Sequence, residues 1–366
     1  SQIDQAMSDT DRFAELLFME DGSAKLALAE ELVREADTHQ NELRQFLYRK
    51  ELVRSATFSG EIDKALVAFA WCLGKSDENP QEYSPTDLMW SYKWILHGCY
   101  MTPSVSAEQI AGIFADATRR FQEAGESLRP IYDQEARYQA HLGNRDGAKD
   151  LMKRSRSERR SSKSDCAACE RSSEIEFHLF LKDFDRVAKL ADDTIAKGLS
   201  CTEEPQRQLC YGAMAYQATG RDEDAKTIYR KWYPKVKSNR NYLLSISCLL
   251  NYLIRADNMR SAVTLFERHL SWAVEATNKV DAFRFFIVSH QLLERLQSKK
   301  RKVISVRGGQ GIFPFQGAGD SGEEFGVVDL ADWSRAEASK IADQFDARNG
   351  NAHFASLMNG DWPWGF

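Results

Sequence analysis

Apolar residues recur along most of the chain at spacings of three and four, the pattern of a helix with one buried face. The clearest case is a helix over residues 186–197. Its apolar face is formed by Val187, Leu190, Ala191, Thr194 and Ile195. A second apolar run precedes it, beyond the short turn 181–185, and carries too many apolar residues for one narrow stripe. Residues 165–201 therefore predict a helical hairpin whose first helix is contacted on two sides.

The same turn recurs at regular intervals. In each copy a turn residue is followed five positions later by a small or β-branched apolar residue: Gly22 with Ala27, Gly60 with Ala65, Gly143 with Ala148, Lys182 with Val187, Gly220 with Ala225, and Asp257 with Ala262. The intervals are 38, 83, 39, 38 and 37 residues, and the longest is close to two periods with a weak copy near Met101. Glycine tolerates the positive φ that ends a helix, and a small residue lets two helices approach closely. Such a period predicts stacked helical hairpins.

Two of these turns carry a family resemblance. The segments Gly143-Asn-Arg-Asp-Gly-Ala148 and Gly220-Arg-Asp-Glu-Asp-Ala225 resemble the turn of the tetratricopeptide repeat, although the spacing here exceeds that family's usual length of about 34 residues. The resemblance covers roughly residues 8–296. It implies an all-α fold, a right-handed superhelical solenoid of about eight antiparallel helix pairs, whose first helices line a concave groove that binds peptides or a partner's helix. The Cys-x-x-Cys repeat, followed by Leu199-Ser-Cys-Thr-Glu-Glu-Pro205, also resembles a segment of some bacterial tetratricopeptide proteins.

The pattern predicts three parts. A helical-hairpin solenoid occupies residues 1–297, a Gly-rich and basic loop 298–328, and a capping helix with an aromatic tail 329–366. The capping helix is predicted over Ser334–Asn349, opened by a capping box of Ser334 with Glu337 and closed by Gly350. The loop contains a G-x-G-x-x-G string at 317–322, but no strand-to-helix context gives it meaning, so we expect a flexible loop. The tail 361–366 is expected to fold over the last hairpin.

Charge and composition narrow the function classes. The formal net charge of −5 over 366 residues argues against general nucleic-acid binding. No apolar run reaches the roughly 18 residues of a membrane span. The seven cysteines are scattered rather than spaced as a disulfide scaffold, which favours a reducing cytoplasm. The basic segment 152–164 is best explained as a helix end running into a solvated loop, with a docking strip for phosphate, nucleic acid or an acidic partner as the alternative.

Three cysteines form the candidate metal site. Cys166, Cys169 and Cys201 bracket the central hairpin, and stacking would place the start of its first helix beside the loop entering the next pair. Three thiolates and one further ligand would make a closed structural zinc site. His178 is too far along the helix, at about 13 Å. The nearer, poorer ligands are Asp165, Glu170 and Glu203. The alternatives are buried or idle thiols, a structural zinc, and a redox switch or disulfide, so the sequence assigns no cofactor.

The predicted groove provides the second candidate site. Counting back from each turn, the residues that should project into it are Lys50, Arg54, Asp133, Arg137, His141, Glu176, Arg207, Gln217, Asn251 and Arg255. Cations outnumber acids six to two in this set, counting His141. A positive groove would favour an acidic peptide or protein partner, whereas the plainer alternative is a solvated helix face.

We therefore expect a non-enzymatic scaffold that binds a partner protein or peptide in the groove. The alternative is a regulatory or sensor protein that responds to a ligand, a metal or a redox change at the three cysteines. The seven histidines form no H-x-x-x-H pair, and nothing in the sequence favours an enzyme.

Overall fold

The computed structural model describes residues 11–360, and the predicted all-α class is confirmed for them. Their helices are α1 (residues 11–18), α2 (Ser23–Thr38), α3 (Glu42–Phe58), α4 (Ile62–Glu78), α5 (Thr86–Tyr100), α6 (Ala107–Glu123), α7 (Arg129–His141), α8 (Arg145–Ser157), α9 (Ala167–Phe180), α10 (Phe184–Lys197), α11 (Gln206–Ala218), α12 (Asp222–Val236), α13 (Leu243–Arg255), α14 (Met259–Glu275), α15 (Lys279–Ser298), α16 (Val327–Asn349) and α17 (His353–Met358). Two short strands, β1 (Val303–Ser305) and β2 (Glu324–Gly326), lie between α15 and α16.

The chain forms two compact units. Unit 1 holds residues up to Glu135 together with Met152–Ser164, and unit 2 holds Ala136–Leu151 together with the residues from Asp165 onward. Within unit 1, α3 packs on α4 and also on α5. Within unit 2, α9, α11, α13 and α15 contact one another in series, and each of α10, α12, α14 and α16 packs on the helix before it. Helices such as α13 and α15 are therefore contacted on several sides and are largely buried.

The turns within the hairpins share one geometry. Five predicted turn residues have left-handed φ values between 57° and 78°: Gly60, Gly143, Lys182, Gly220 and Asp257. At each of these turns the next residue donates its backbone N–H to a carbonyl five residues back, at 2.7–2.9 Å. This is the hydrogen bond of a Schellman helix end, and it satisfies a carbonyl that the helix leaves free. The small residues predicted five positions later are fully buried: Ala65, Ala148, Val187, Ala225 and Ala262.

The first copy departs from this register. Gly22 has a φ of 158°, and α2 begins at the next residue instead of two residues later as in the other copies. The helix is therefore rotated by one position, so that Leu26 is buried and Ala27 is exposed. The prediction that Ala27 contacts the neighbouring helix is wrong for this reason.

The C-terminal part of unit 2 also differs from its prediction. The segment 298–328 contains an antiparallel pairing in which Ile304 faces Phe325, so it is not a structureless loop. β2 leads directly into α16, which begins at Val327 and not at Ser334. Ser334 lies fully buried inside that helix, so it forms no capping box. Gly350 ends α16 with a φ of 68°, as predicted. The tail 361–366 lies outside the described residues.

Candidate functional site

The three cysteines of unit 2 converge, as the sequence predicts. Cys166 caps the N-terminus of α9, and its Sγ accepts the Cys169 backbone N–H at 3.4 Å. Cys201 lies in the loop between α10 and α11, with its Sγ 3.7 Å from the Sγ of Cys169. All three sulfurs lie within 4.8 Å of one another. The start of α9 and the loop between α10 and α11 thus lie next to each other at the three cysteines.

A buried glutamine holds this loop in place. The side-chain amide of Gln208 on α11 donates to the Ala168 carbonyl in α9 at 3.1 Å. Its oxygen accepts the Thr194 hydroxyl of α10 at 2.8 Å. Glu204, in the loop, accepts from the Gln208 backbone N–H at 3.1 Å, and burial raises the pKa of this carboxyl. The loop that carries Cys201 is therefore fixed against α9 by residues other than the cysteines.

The sulfur geometry distinguishes between the chemical alternatives. A disulfide requires sulfurs about 2.05 Å apart, so the three are separate thiols. A tetrahedral zinc with Zn–S bonds of about 2.3 Å places neighbouring sulfurs about 3.8 Å apart, close to the 3.7 Å between Cys169 and Cys201. Burial raises the pKa of the Cys169 thiol well above its usual range, and the neighbouring sulfurs raise it further. A reactive redox cysteine has the opposite shift, because its thiolate is stabilised.

The cluster offers three protein ligands. Among residues 11–360, no imidazole or carboxylate joins the three sulfurs in the group that could hold a metal. Cys166 and Cys201 are exposed, whereas Cys169 is half-buried. A metal held by the three thiolates would therefore take its fourth ligand from the solvent side, as zinc sites with an open position do.

A second cluster in unit 2 gathers charges from several first helices. Arg137 on α7 pairs with Glu176 on α9, with 3.2 Å between Nη2 and Oε2. Arg207 on α11 retains 25% of its side-chain exposure although protein surrounds most of it. Asp281 and Arg284 of α15 complete the group. We call these five residues the inner charge cluster.

The members of this cluster act on one another electrostatically. Burial, with a smaller contribution from Glu176, raises the pKa of Asp281 to about 6 against the opposing effect of Arg284, Arg207 and Arg137. Arg207 also pairs with Glu203, and its Nη1 lies 3.8 Å from Oε1 of Glu204. The charges of the cluster are therefore largely balanced by carboxylates of the same unit.

Other predicted groove residues of unit 2 are engaged in packing. His141 is fully buried, with ring centroids 5.0 Å from both Phe345 and Phe354, so its side chain belongs to the core and not to an accessible surface. Asn251 is also buried, and its amide oxygen accepts from the exposed Arg255 at 3.1 Å. The half-buried Gln217 donates to the Tyr252 carbonyl at 3.4 Å.

The two predicted groove cations of unit 1 are engaged in local ion pairs. The Nζ of Lys50 lies 3.7 Å from an Asp87 carboxylate oxygen. Arg54 lies 3.4 Å from Glu51 and 3.7 Å from Asp21. These pairs balance both cations within unit 1.

The basic segment 152–164 also makes internal contacts in unit 1. Arg154 lies over the Tyr132 ring at 4.2 Å, and Arg159 donates to the Gly125 carbonyl at 2.9 Å. Lys163 donates to the Thr86 carbonyl at 3.0 Å. These contacts favour the interpretation of the segment as a helix end and its loop over a docking strip.

Sequence reasoning missed two members of the inner charge cluster, Asp281 and Arg284. A signal was present, because these charged residues stand three apart in a helix that is otherwise strongly apolar on this side. Arg284 keeps only 5% exposure between Phe283 and Phe285. A charged residue in such a setting is retained only with charged or hydrogen-bonded partners.

Comparison with known proteins assigns no family. No family model matches the chain, and no curated protein matches it. Among the described residues, no helix is long and apolar enough to cross a membrane. The fold of the described residues defines an all-α protein built from successive helical hairpins.

Proposed function

We propose that this chain is a tetratricopeptide-like right-handed solenoid of about eight helix pairs and that it binds an acidic segment of a partner protein. Support comes from the five equivalent turns and from the serial contacts of α9, α11, α13 and α15 in unit 2. In such a stack each hairpin contacts its neighbours, and the first helices present one continuous binding surface. The proposed action is binding alone, without catalysis.

The inner charge cluster carries the proposal. Its three arginines come from three different helices, α7, α11 and α15. Guanidinium groups bind carboxylates with paired, charge-assisted hydrogen bonds. Arg207 is partly exposed and pairs with the exposed Glu203, so a partner carboxylate would replace Glu203 at this guanidinium. A partner segment rich in Glu or Asp is therefore the ligand that the cluster fits best.

A fluorescein-labelled acidic peptide tests this function. We expect a peptide of alternating Glu and Ser to bind, with affinity reduced about tenfold by Arg207→Gln, because a hydrogen bond to a charged group contributes roughly 1.5–3 kcal/mol. Fluorescence anisotropy at fixed low salt measures both affinities. The matched control is Arg230→Gln, since Arg230 is an exposed residue of α12 outside the cluster.

Two results would contradict the groove proposal. One is Arg207→Gln binding the peptide as tightly as the wild type while retaining its melting temperature. The other is an equal loss from Arg230→Gln, which would indicate nonspecific attraction. A peptide with Gln in place of Glu should not bind, since it lacks the carboxylates.

The second candidate function is a metal-responsive regulator, and one observation favours it. The Sγ atoms of Cys169 and Cys201 stand 3.7 Å apart, the spacing of two ligands on a single zinc. A structural zinc held by Cys166, Cys169 and Cys201 would fasten α9 to the loop entering α11. Gain or loss of the metal would then change how successive hairpins stack.

A further inference from the structure

A short aromatic platform stands between β1 and β2 in unit 2. Phe313 stacks on Phe315 with ring centroids 5.3 Å apart and contacts Phe325 edge-on at 4.8 Å. Gly309 permits this packing, because a Cβ there would come within 2.5 Å of the Phe325 ring. The side-chain amide of Gln310 donates to the Gly322 carbonyl at 2.7 Å and closes the segment on itself. The close packing at Gly309 and the hydrogen bond from Gln310 thus hold the aromatic platform in place.

An open cleft lies between the platform and α16. Trp333 of α16 meets Phe313 edge-on, with ring centroids 4.9 Å apart, and also contacts Phe286 of α15, with centroids 5.5 Å apart. The cleft has a volume of about 660 Å³ and a mostly apolar lining that includes Phe315 and Pro314. Its size is that of a cleft for a small ligand or a short peptide segment. We call it the aromatic cleft.

The α16 wall of the aromatic cleft is acidic. Asp329 and Asp332 line it, are exposed, and lie one helical turn apart on the same face. Among the described residues, no cation lies within ion-pair distance of either carboxylate. Lys340, also in the lining, is paired with Glu337 at 2.6 Å. The cleft therefore joins an aromatic floor to two carboxylates that lack a counter-charge within the described chain.

We propose that the aromatic cleft docks an extended segment of a partner protein that contains proline and arginine. Proline-rich segments adopt a preformed extended helix without internal hydrogen bonds and dock in grooves lined by aromatic side chains. Arginine adds a cation for Asp329 and Asp332, and its planar group also stacks on aromatic rings. The inner charge cluster selects the opposite charge, so this surface stands independently of the proposed function.

A labelled peptide with a repeating Pro-Pro-Arg sequence is the probe. We expect it to bind the full chain, as measured by fluorescence anisotropy at low salt. The double variant Asp329→Asn/Asp332→Asn should lower the affinity about fivefold, because exposed charge pairs each contribute modestly to binding. These substitutions keep the shape of exposed side chains, so folding should be preserved. Asp343→Asn is the matched control, since Asp343 is an exposed acid of α16 outside the cleft lining.

A second variant tests the aromatic floor. Phe315→Ala should weaken binding of the same peptide, and also of a Pro-Pro-Gln peptide, because it removes the apolar contact and not the charge. Failure of the wild-type chain to bind, or equal binding by the double variant and the Asp343 control, would overturn the proposal. Binding that appears only after residues 361–366 are removed would make the chain's own tail the occupant and would overturn it as well.

Discussion

At the scale of single residues, burial separates the predicted groove residues into two kinds. The sequence predicts that both His141 and Arg207 face the groove. His141 lies fully buried against two phenylalanine rings, whereas Arg207 remains partly exposed within a charged cluster. Counting back from a turn indicates a helix face but not whether a later segment covers it. The segments that cover His141 are α16 and α17, more than 200 residues away along the chain.

The pKa of Asp281 gives a prediction at this scale. Its value of about 6 in the folded chain exceeds the usual 3.8, so the folded state binds the proton more tightly. The protonated Asp281 therefore stabilises the folded state. This stabilisation is fully present below about pH 4 and is lost as the pH rises through 6. We expect Asp281→Asn to become more stable relative to the wild type between pH 4 and pH 7, by on the order of 1–3 kcal/mol.

Urea unfolding at several pH values measures this difference. Comparing the two proteins at each pH removes the contributions of other groups, such as Asp77 and Asp192, whose pKa values are lowered by their arginine partners. A constant difference between wild type and variant from pH 4 to pH 7 would show that Asp281 does not titrate in this range.

At the scale of elements, the hairpin turn is the unit that the sequence predicts best. Glycine at the turn and alanine in the next helix are local requirements, because both follow from backbone geometry and close approach. Lys182 and Asp257 adopt the same left-handed conformation without being glycine, so the register and not the residue type defines the turn. The start of α16 could not be predicted in this way, since a strand pairing between β1 and β2 sets it.

Two turn glycines of unit 2 allow a matched test. Gly143 and Gly220 have φ values of 78° and 77°, so alanine at either one costs roughly 1–2 kcal/mol of backbone strain. At Gly143 a Cβ would also come within 2.5 Å of the His353 ring, whereas at Gly220 it would meet nothing within 4 Å. We expect Gly143→Ala to lower the free energy of unfolding by about 2–4 kcal/mol and Gly220→Ala by about half as much.

Chemical denaturation of the two variants provides the measurement. Since the backbone strain is nearly the same, the difference between them reports the contact with α17. Equal losses would mean that His353 moves aside without cost and that α17 packs loosely on this turn.

At the scale of the whole molecule, some features of the cysteine cluster and the inner charge cluster follow from local sequence patterns, and others depend on long-range contacts. The convergence of Cys166, Cys169 and Cys201 could be predicted, because stacking brings a hairpin start beside the next inter-hairpin loop. Gln208 could not be predicted as the residue that fixes this loop, because a buried glutamine bridging three helices leaves no spacing signal. The inner charge cluster likewise draws on helices that are far apart in sequence.

Zinc binding tests whether the cysteine cluster fastens neighbouring hairpins of unit 2. If one zinc binds per chain, the melting temperature should rise with zinc and fall on chelation, because a ligand that binds only the folded state stabilises it by about 2.7 kcal/mol at a concentration 100 times its Kd. Cys201→Ser should abolish this response, as it removes the ligand from the inter-hairpin loop. Cys72→Ala should retain it, since Cys72 is a buried cysteine of unit 1 that lies outside the cluster. Elemental analysis of the purified chain supplies the stoichiometry. A zinc response that survives Cys201→Ser would place the metal elsewhere, and the three thiols would then serve packing alone.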